Sequence, residues 1–204
     1  MELQLDHSPY YQAILKITHK QNGTVLTSNV DELGIPRIYL TRLVEKGVLE
    51  RVHRGVYVSA TEIEDEMFAL QSIYSDLVFS HESALIMHGL SDRLPDRYSV
   101  TVPSGYKVTN RLAERVKTFY VRPDLHQLGV ELRSSMQGNL LRTYNVERTI
   151  CDLFRSRNRI DIQIVSDSIK RYAQLGSIND VQLLEYAKLL HIDKQFLQLL
   201  EILI

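Results

Sequence analysis

Two histidines, His81 and His88, stand seven residues apart with Glu82 beside the first. On a helix that spacing places both imidazoles on one face, two turns apart. A metal site needs a third ligand, and no His-Glu-x-x-His spacing exists in the chain. Helix capping or core hydrogen bonding therefore accounts better for both rings. Ser83, His81 and Asp92 have the composition of an acyl-transfer triad. The Gly-x-Ser-x-Gly elbow that would expose the nucleophile is missing. Cys151 lies between Ile150 and Leu153 in a helical stretch, which predicts a buried, inert thiol. A phosphoryl-transfer strand would carry carboxylates one residue apart, and Tyr98–Val102 has none. No glycine-rich phosphate loop appears either. These readings predict no catalytic residue, no metal, no cofactor and no enzyme.

A second group of residues points to anion recognition. Arg37, Arg42 and Lys46 recur through one short stretch, and Arg51, His53 and Arg54 follow closely. At about 100° per residue, a helix starting at Pro36 turns Leu40, Leu43 and Val44 inward with Pro36 itself. Its outer face then carries Ile38, Thr41, Arg42 and Glu45, flanked by Arg37 and Lys46. Arginine can donate two hydrogen bonds to a guanine edge, and Thr or Ile methyls can touch the thymine methyl. Arg51, His53 and Arg54 can reach phosphates or the minor groove. Ser28 and Asn29 stand where a helix begins and free amides attract phosphate.

The elements that must hold these residues form a winged helix-turn-helix. A helix from about Tyr10 to Gln21 ends at Asn22-Gly23, and Val25-Leu26-Thr27 is extended. Ser28-Asn29-Val30-Asp31 has the Ser-x-x-acid form of a helix cap. Gly34 stops that short helix, Ile35-Pro36 restarts the chain, and Gly47 closes the next one. Two helices joined by a short glycine turn are the helix-turn-helix pattern. Strands over Val48–Val52 and Val56–Ser59 flank a basic tip, His53-Arg54-Gly55, as the wing. Used for protein contacts alone, the same domain would carry Arg37, Arg42 and Lys46 as a solvated face. The helix pair, the basic outer face and the basic wing together favour DNA.

Composition bounds the rest. The 204 residues carry 24 Lys and Arg against 25 Asp and Glu, so the chain is neither a polycation nor an acidic tail. With 44% apolar and 24% charged residues it reads as globular. One Cys excludes a disulfide framework and any Cys-based zinc finger, and fits a reducing cytosol. No apolar run approaches the roughly 18 residues of a membrane span. The start, MELQLDHSPYY, has neither the basic nor the apolar region of an export signal, so a cytoplasmic location is expected. Charge is unevenly placed. Residues 35–60 hold five basic and two acidic groups, +3; residues 61–106 hold two and eight, −6; residues 107–172 hold thirteen and seven, +6. The acidic run Glu62, Glu64, Asp65, Glu66 marks an expected boundary near residue 60, giving domains 1–60 and 61–204. Lys107, Arg111, Arg115, Lys117, Arg155, Arg157 and Arg159 form a candidate second basic surface, or equally a solvated face with ion pairs such as Arg148 with Asp152.

Beyond residue 61 the patterns predict strands first and helices later, an α+β arrangement. Helices are expected over 62–75 and from Ser80 to Gly89, then over roughly 146–156, 161–175, 179–191 and 194–204. Strands are expected over Leu77–Phe79, Tyr98–Val102, Thr118–Arg122, Val130–Ser134 and Leu140–Tyr144.

Three segments carry a family resemblance. Phe79-Ser80-His81-Glu82-Ser83-Ala84-Leu85-Ile86-Met87-His88-Gly89-Leu90, then Asp92-Arg93-Leu94-Pro95 with Tyr98–Pro103, resemble the bacterial abortive-infection antitoxin family AbiEi. So does Tyr144-Asn145-Val146-Glu147-Arg148-Thr149-Ile150-Cys151-Asp152-Leu153-Phe154, and the winged helix placed first matches the family's order. The resemblance implies an antitoxin of a type IV toxin–antitoxin pair in phage defence. Its N-terminal domain would repress its own promoter at inverted repeats. Its C-terminal domain would counter a nucleotidyltransferase-like toxin without a stable complex. A single winged helix reads a short half-site, so a monomer or weak dimer would pair on double-stranded DNA. The competing reading is a winged-helix transcription factor whose C-terminal domain senses a ligand or protein partner.

Overall fold

The structure, a computed structural model, describes residues 8–176 and 179–193. It is α+β and divides into two compact units, Met1–Ser75 with Ser134–Leu141, and Asp76–Arg133 with Arg142–Ile204. The first unit therefore runs past residue 60 and takes in a second, distant segment. The helix read over 194–204 lies outside the described residues.

In the first unit, α1 (Pro9–Lys20) opens with proline in its first turn, where the missing amide is not needed. It buries Tyr11, Ile14 and Thr18. The chain leaves it through Asn22 and Gly23, both at positive φ, +46° and +89°. A Cβ on Gly23 would lie 2.6 Å from that of Glu62, so only glycine fits there. After β1 (Thr24–Leu26) come α2 (Thr27–Glu32) and α3 (Ile38–Glu45). The hairpin β2 (Leu49–His53) and β3 (Val56–Ser59) follows, and the antiparallel sheet has the order β1-β3-β2. Helix, strand, two helices and a hairpin around one core follow the element order expected of a winged helix-turn-helix. Tyr11, Ile14, Val25, Val30, Ile35, Leu40, Leu43 and Leu49 make that core. Each fully buried aliphatic side chain contributes about 1.5–3 kcal/mol.

Two local expectations change. The cap of α2 is not Ser28, because the helix already starts at Thr27; Asn29 Oδ1 reaches back and accepts from the amide of Leu26 at 2.9 Å. Pro36 and Arg37 form a turn ahead of α3, with the amides of Tyr39 and Leu40 donating to their carbonyls. Pro36 is consequently exposed and takes no part in the buried stripe.

The helix α4 (Glu66–Ile73) is shorter than the pattern over 62–75 predicts. Asp65, buried, caps it by accepting from the amide of Phe68 at 3.0 Å. Its other oxygen accepts from Ser135 Oγ and from Asn139 Nδ2 at 2.9 Å. This buried carboxylate, together with the bond from Asn22 Nδ2 to Asn139 Oδ1, ties residues 134–141 to this unit. The helix α4 buries Ala69 and Leu70, and Ile73 at its end is exposed.

The second unit is built on a mixed sheet of order β6-β5-β4-β8-β7. Its strands are β4 (Val78–Phe79), β5 (Tyr98–Pro103), β6 (Val116–Val121), β7 (Val130–Ser134) and β8 (Leu140–Tyr144). β5 pairs with β6 in parallel, from Tyr98 opposite Val116 to Pro103 opposite Val121, and β4 pairs with β8 in parallel. α5 (His81–Met87) follows β4, and the short α6 (Asn110–Ala113), absent from the sequence reading, precedes β6. α7 (Val146–Arg155), α8 (Ile162–Ala173) and α9 (Asp180–Leu189) complete the unit.

All of α7 from Glu147 to Phe154 is buried, including Arg148 and Asp152. Asn145 caps it, accepting from the amide of Arg148 at 3.0 Å. Arg148 Nε donates to Asp152 at 3.0 Å, and Nη1 donates to the carbonyls of Leu125 and Leu128, each at 3.0 Å. The guanidinium also lies 4.3 Å from the Tyr144 ring centre. The Arg148–Asp152 pair is thus a core strut, not the solvated pair that its i, i+4 spacing invites. Gly129 makes room for it: a Cβ there would approach that of Arg148 to 2.8 Å.

Candidate nucleic-acid interface

The outer face of α3 carries Ile38, Thr41, Arg42 and Glu45, all exposed, with Ile38 50% accessible. Leu40 and Leu43 fix this orientation by filling the core behind it. The Arg42 guanidinium sits 5.3 Å from the ring centre of Tyr39, which packs on Tyr11. Such stacking restrains a long side chain while leaving its donors outward.

The flanking cations are less free. Arg37 Nε and Nη2 donate to the two oxygens of Asp31 at 2.8 and 2.7 Å. That bond, helped by the guanidinium charge, lowers the Asp31 pKa, and the same bond with the carboxylate charge raises that of Arg37. Both groups are exposed, so solvent screens the pair. Lys46 is half-buried, its ammonium 4.8 Å from the Tyr11 ring centre. On the wing, His53 belongs to β2, and its Nε2 lies 3.1 Å from Glu64. Arg54 and Gly55, at φ +81°, make the tip, and Arg51 and Arg54 are exposed. Ser28 is exposed in the first turn of α2, whereas the Asn29 side chain is taken up in capping.

One concavity unites residues that lie apart in sequence. A cleft of about 490 Å³ is lined by Ser28, Arg37, Arg51, Arg54, Gly55 and Tyr57, with Ser72 of α4 at its side. Alternation and helical period could orient each element. Only the folded sheet brings the α2 start, the turn before α3 and both wing strands together.

In the second unit the candidate basic residues divide. Lys107, Arg111, Arg157 and Arg159 are exposed, while Arg115, Lys117 and Arg155 are half-buried. Lys117 Nζ lies 3.4 Å from Glu82, which also accepts from Ser99 Oγ. Arg155 Nη2 donates to the carbonyl of Tyr120 at 3.4 Å, and Arg159 Nη2 to that of Thr118 at 3.1 Å. Both carbonyls belong to β6, an edge strand, whose open polar groups the arginines cover.

The nucleophile and ligand candidates lie inside. His81, fully buried at φ +47°, stacks on Phe119 with centroids 3.5 Å apart. Its nitrogens lie 2.9 Å from Ser80 Oγ and 3.0 Å from Ser156 Oγ. Burial pushes its pKa down to about 3, so the ring is neutral. His88 Nε2 donates to the carbonyl of Tyr144 at 2.7 Å. Core hydrogen bonding, the bland expectation, describes both rings. Cys151 is buried and its thiol is pushed up to about 12, far from a thiolate at neutral pH.

Residues 12–60 match the family model described as a transcriptional regulator, AbiEi antitoxin. That segment spans α1 through β3, the elements that carry the α3 face and the wing. The match supports an antitoxin-regulator role for the matched segment. Comparison with curated protein sequences gives no match. Among solved structures, the RV2827C protein from Mycobacterium tuberculosis is similar in fold, with a TM-score of 0.58 at 15% identity. The likeness covers 88% of this chain and 71% of that one. Among the described residues, no helix is long and apolar enough to cross a membrane.

Sequence reasoning named Arg37, Arg51 and Arg54 one by one but not the cleft that all three line. Ser72, which lines the cleft from α4, carried no signal at all.

Proposed function

We propose that the protein is the antitoxin of a type IV toxin–antitoxin pair and represses its own promoter. In this reading α3 enters the major groove, and Ile38, Thr41 and Arg42 meet base edges there. Arg51 and Arg54 on the wing, with Ser28, Asn29, Arg37, Lys46 and His53, contact or position the backbone. The observation that carries this reading is the exposed Arg42–Thr41–Ile38 face beside an exposed wing arginine, within a segment that matches a transcriptional regulator. Two copies, each a monomer or weak dimer in solution, would pair on inverted repeats. The second unit would counter a nucleotidyltransferase-like toxin in the cytoplasm, as part of phage defence, without a stable complex. Lys107, Arg111 and Arg157, exposed in that unit, offer it a supplementary backbone contact.

A mobility shift on the upstream promoter across a salt series tests the reading. Affinity should fall steeply with salt, and Arg42→Ala should weaken binding and relax base preference while the variant still protects cells from the toxin. Full affinity in Arg42→Ala would remove α3 as the reading helix.

A second reading, a transcription factor that senses a small ligand, draws on one feature of the second unit. A cleft of about 270 Å³ lies among Leu90, Asp92, Arg93, Asp167 and Arg171, and the buried Ser168 Oγ on it has no partner among the described residues. A small molecule that shifts DNA affinity would favour that reading.

A further inference from the structure

We infer that the cleft between the wing and the start of α2 is a seat for one phosphate group, held jointly by Arg51 and Arg54. Three guanidiniums and the exposed Ser28 hydroxyl line a single concavity. No carboxylate residue lines it, and Asp31 occupies only Arg37, at 2.7 and 2.8 Å. Neither Arg51 nor Arg54 forms an ion pair among the described residues, so two cations face the cleft without a counter-charge. Arg51 lies in β2 and Arg54 in the turn that directly follows it. Gly55, at φ +81°, lets the chain turn there, and its carbonyl accepts from the amide of Thr27 at 2.9 Å. That bond locks the tip against the first residue of α2, next to Ser28. The Arg51 guanidinium is further restrained 5.9 Å from the ring centre of Tyr57. Two forked donors and a hydroxyl around one hollow match the oxygens of a phosphate better than those of a smaller anion.

The phosphate can come from a DNA backbone or from a free phosphate compound, and the first source rests on the DNA-binding reading above. The test uses the full chain, with Arg51→Ala, Arg54→Ala and the double variant. Both positions are exposed, and unchanged melting in chloride checks that folding is intact. Each backbone phosphate contributes about 0.9 to the slope of log affinity against log salt. One shared phosphate predicts that the double variant loses about 0.9 in slope, no more than the larger single loss. A loss of about 1.8 would place the arginines on separate phosphates and overturn the joint seat. The second arm compares thermal melting in inorganic phosphate and in chloride at matched ionic strength. A phosphate-dependent rise in the wild type that vanishes in the double variant establishes the seat for a free ligand. Absence of both the slope loss and the phosphate effect refutes it. Should the wild type bind no duplex at any salt, the DNA-binding reading fails by itself, and the phosphate arm alone decides the seat.

Discussion

The two basic regions of this molecule use arginine in opposite ways. Residues 35–60 carry only +3 and residues 107–172 carry +6, yet the smaller excess holds the freer cations. Arg42, Arg51 and Arg54 stand exposed on α3 and the wing, restrained at most by an aromatic ring. In the second unit Arg148 is buried, Arg155 and Arg159 cover strand carbonyls, Lys117 meets Glu82, and Arg122, Arg133 and Arg171 are paired with carboxylates. Charge counted along a sequence measures neither exposure nor commitment. What matters for a nucleic-acid partner is the donor capacity left over after folding.

The largest effect that could break this comparison is Arg148→Ala. It would leave Asp152 as a buried charge met only by Arg155, 3.3 Å away, and two carbonyls without their donor, at a cost of about 3–5 kcal/mol. Urea unfolding should show that loss. Arg148→Lys should recover little of it, since one ammonium cannot replace a planar fork that meets Asp152 and both carbonyls. A change below about 1 kcal/mol would mean that the strut is dispensable. Arg42→Ala supplies the counterpart in the first unit. It should leave unfolding within about 0.5 kcal/mol of the wild type, as exposed substitutions do. Duplex affinity should fall by about 1–3 kcal/mol, roughly fivefold to 150-fold, in a fluorescence anisotropy titration.

Much of this fold was legible in residue order, and the failures share a cause. The strands Val130–Ser134 and Leu140–Tyr144 and the helices after Asn145 follow from alternation and helical period, which are local. Gly34 and Gly47 end their helices at positive φ, as their type dictates. Ser28 failed as a cap because the helix starts one residue earlier, at Thr27, and the side chain that bonds back at this helix start is that of Asn29, to the amide of Leu26; spacing alone does not fix a start to one residue. Asp65 read as one more charge in an acidic run; its partners Ser135 and Asn139 lie 70 and 74 residues away. Arg148 read as a surface pair because its partner carbonyls belong to a different segment. The α3 face was recoverable from a wheel, whereas the cleft depends on sheet register and so was not.

The buried imidazole of His81 sharpens the comparison through pH. Burial is the main cause of its depressed pKa, and the charges of Arg155, Lys117 and Arg148 press in the same direction against Asp152. An unfolded histidine titrates near 6.5. Between pH 6.5 and about 3 the unfolded chain thus binds the proton and the folded one does not. Stability from this group is complete above pH 6.5 and is lost as pH falls, by up to about 1.4 kcal/mol per unit. His88 and His126, both shifted down by burial, act in the same sense. Urea midpoints at pH 7.5 and 5 should differ, and His81→Asn, which tolerates the positive φ, should shrink the difference. An unchanged difference would show that the ring is not held neutral by its surroundings.

Arg159→Ala tests the smallest effect and the comparison itself. Arg159 is exposed, donates to the Thr118 carbonyl at 3.1 Å and lies 4.4 Å from the Phe119 ring centre. Losing one such hydrogen bond and one cation–π contact at an accessible site should cost less than about 1 kcal/mol. Because folding already uses this guanidinium, its removal should lower duplex affinity by less than about threefold, well short of Arg42→Ala. An equal loss in the two variants would mean that edge-capping arginines keep enough outward donors to hold phosphate. The +6 segment would then count as a second DNA surface, and charge balance along the sequence would have predicted more than side-chain commitment does.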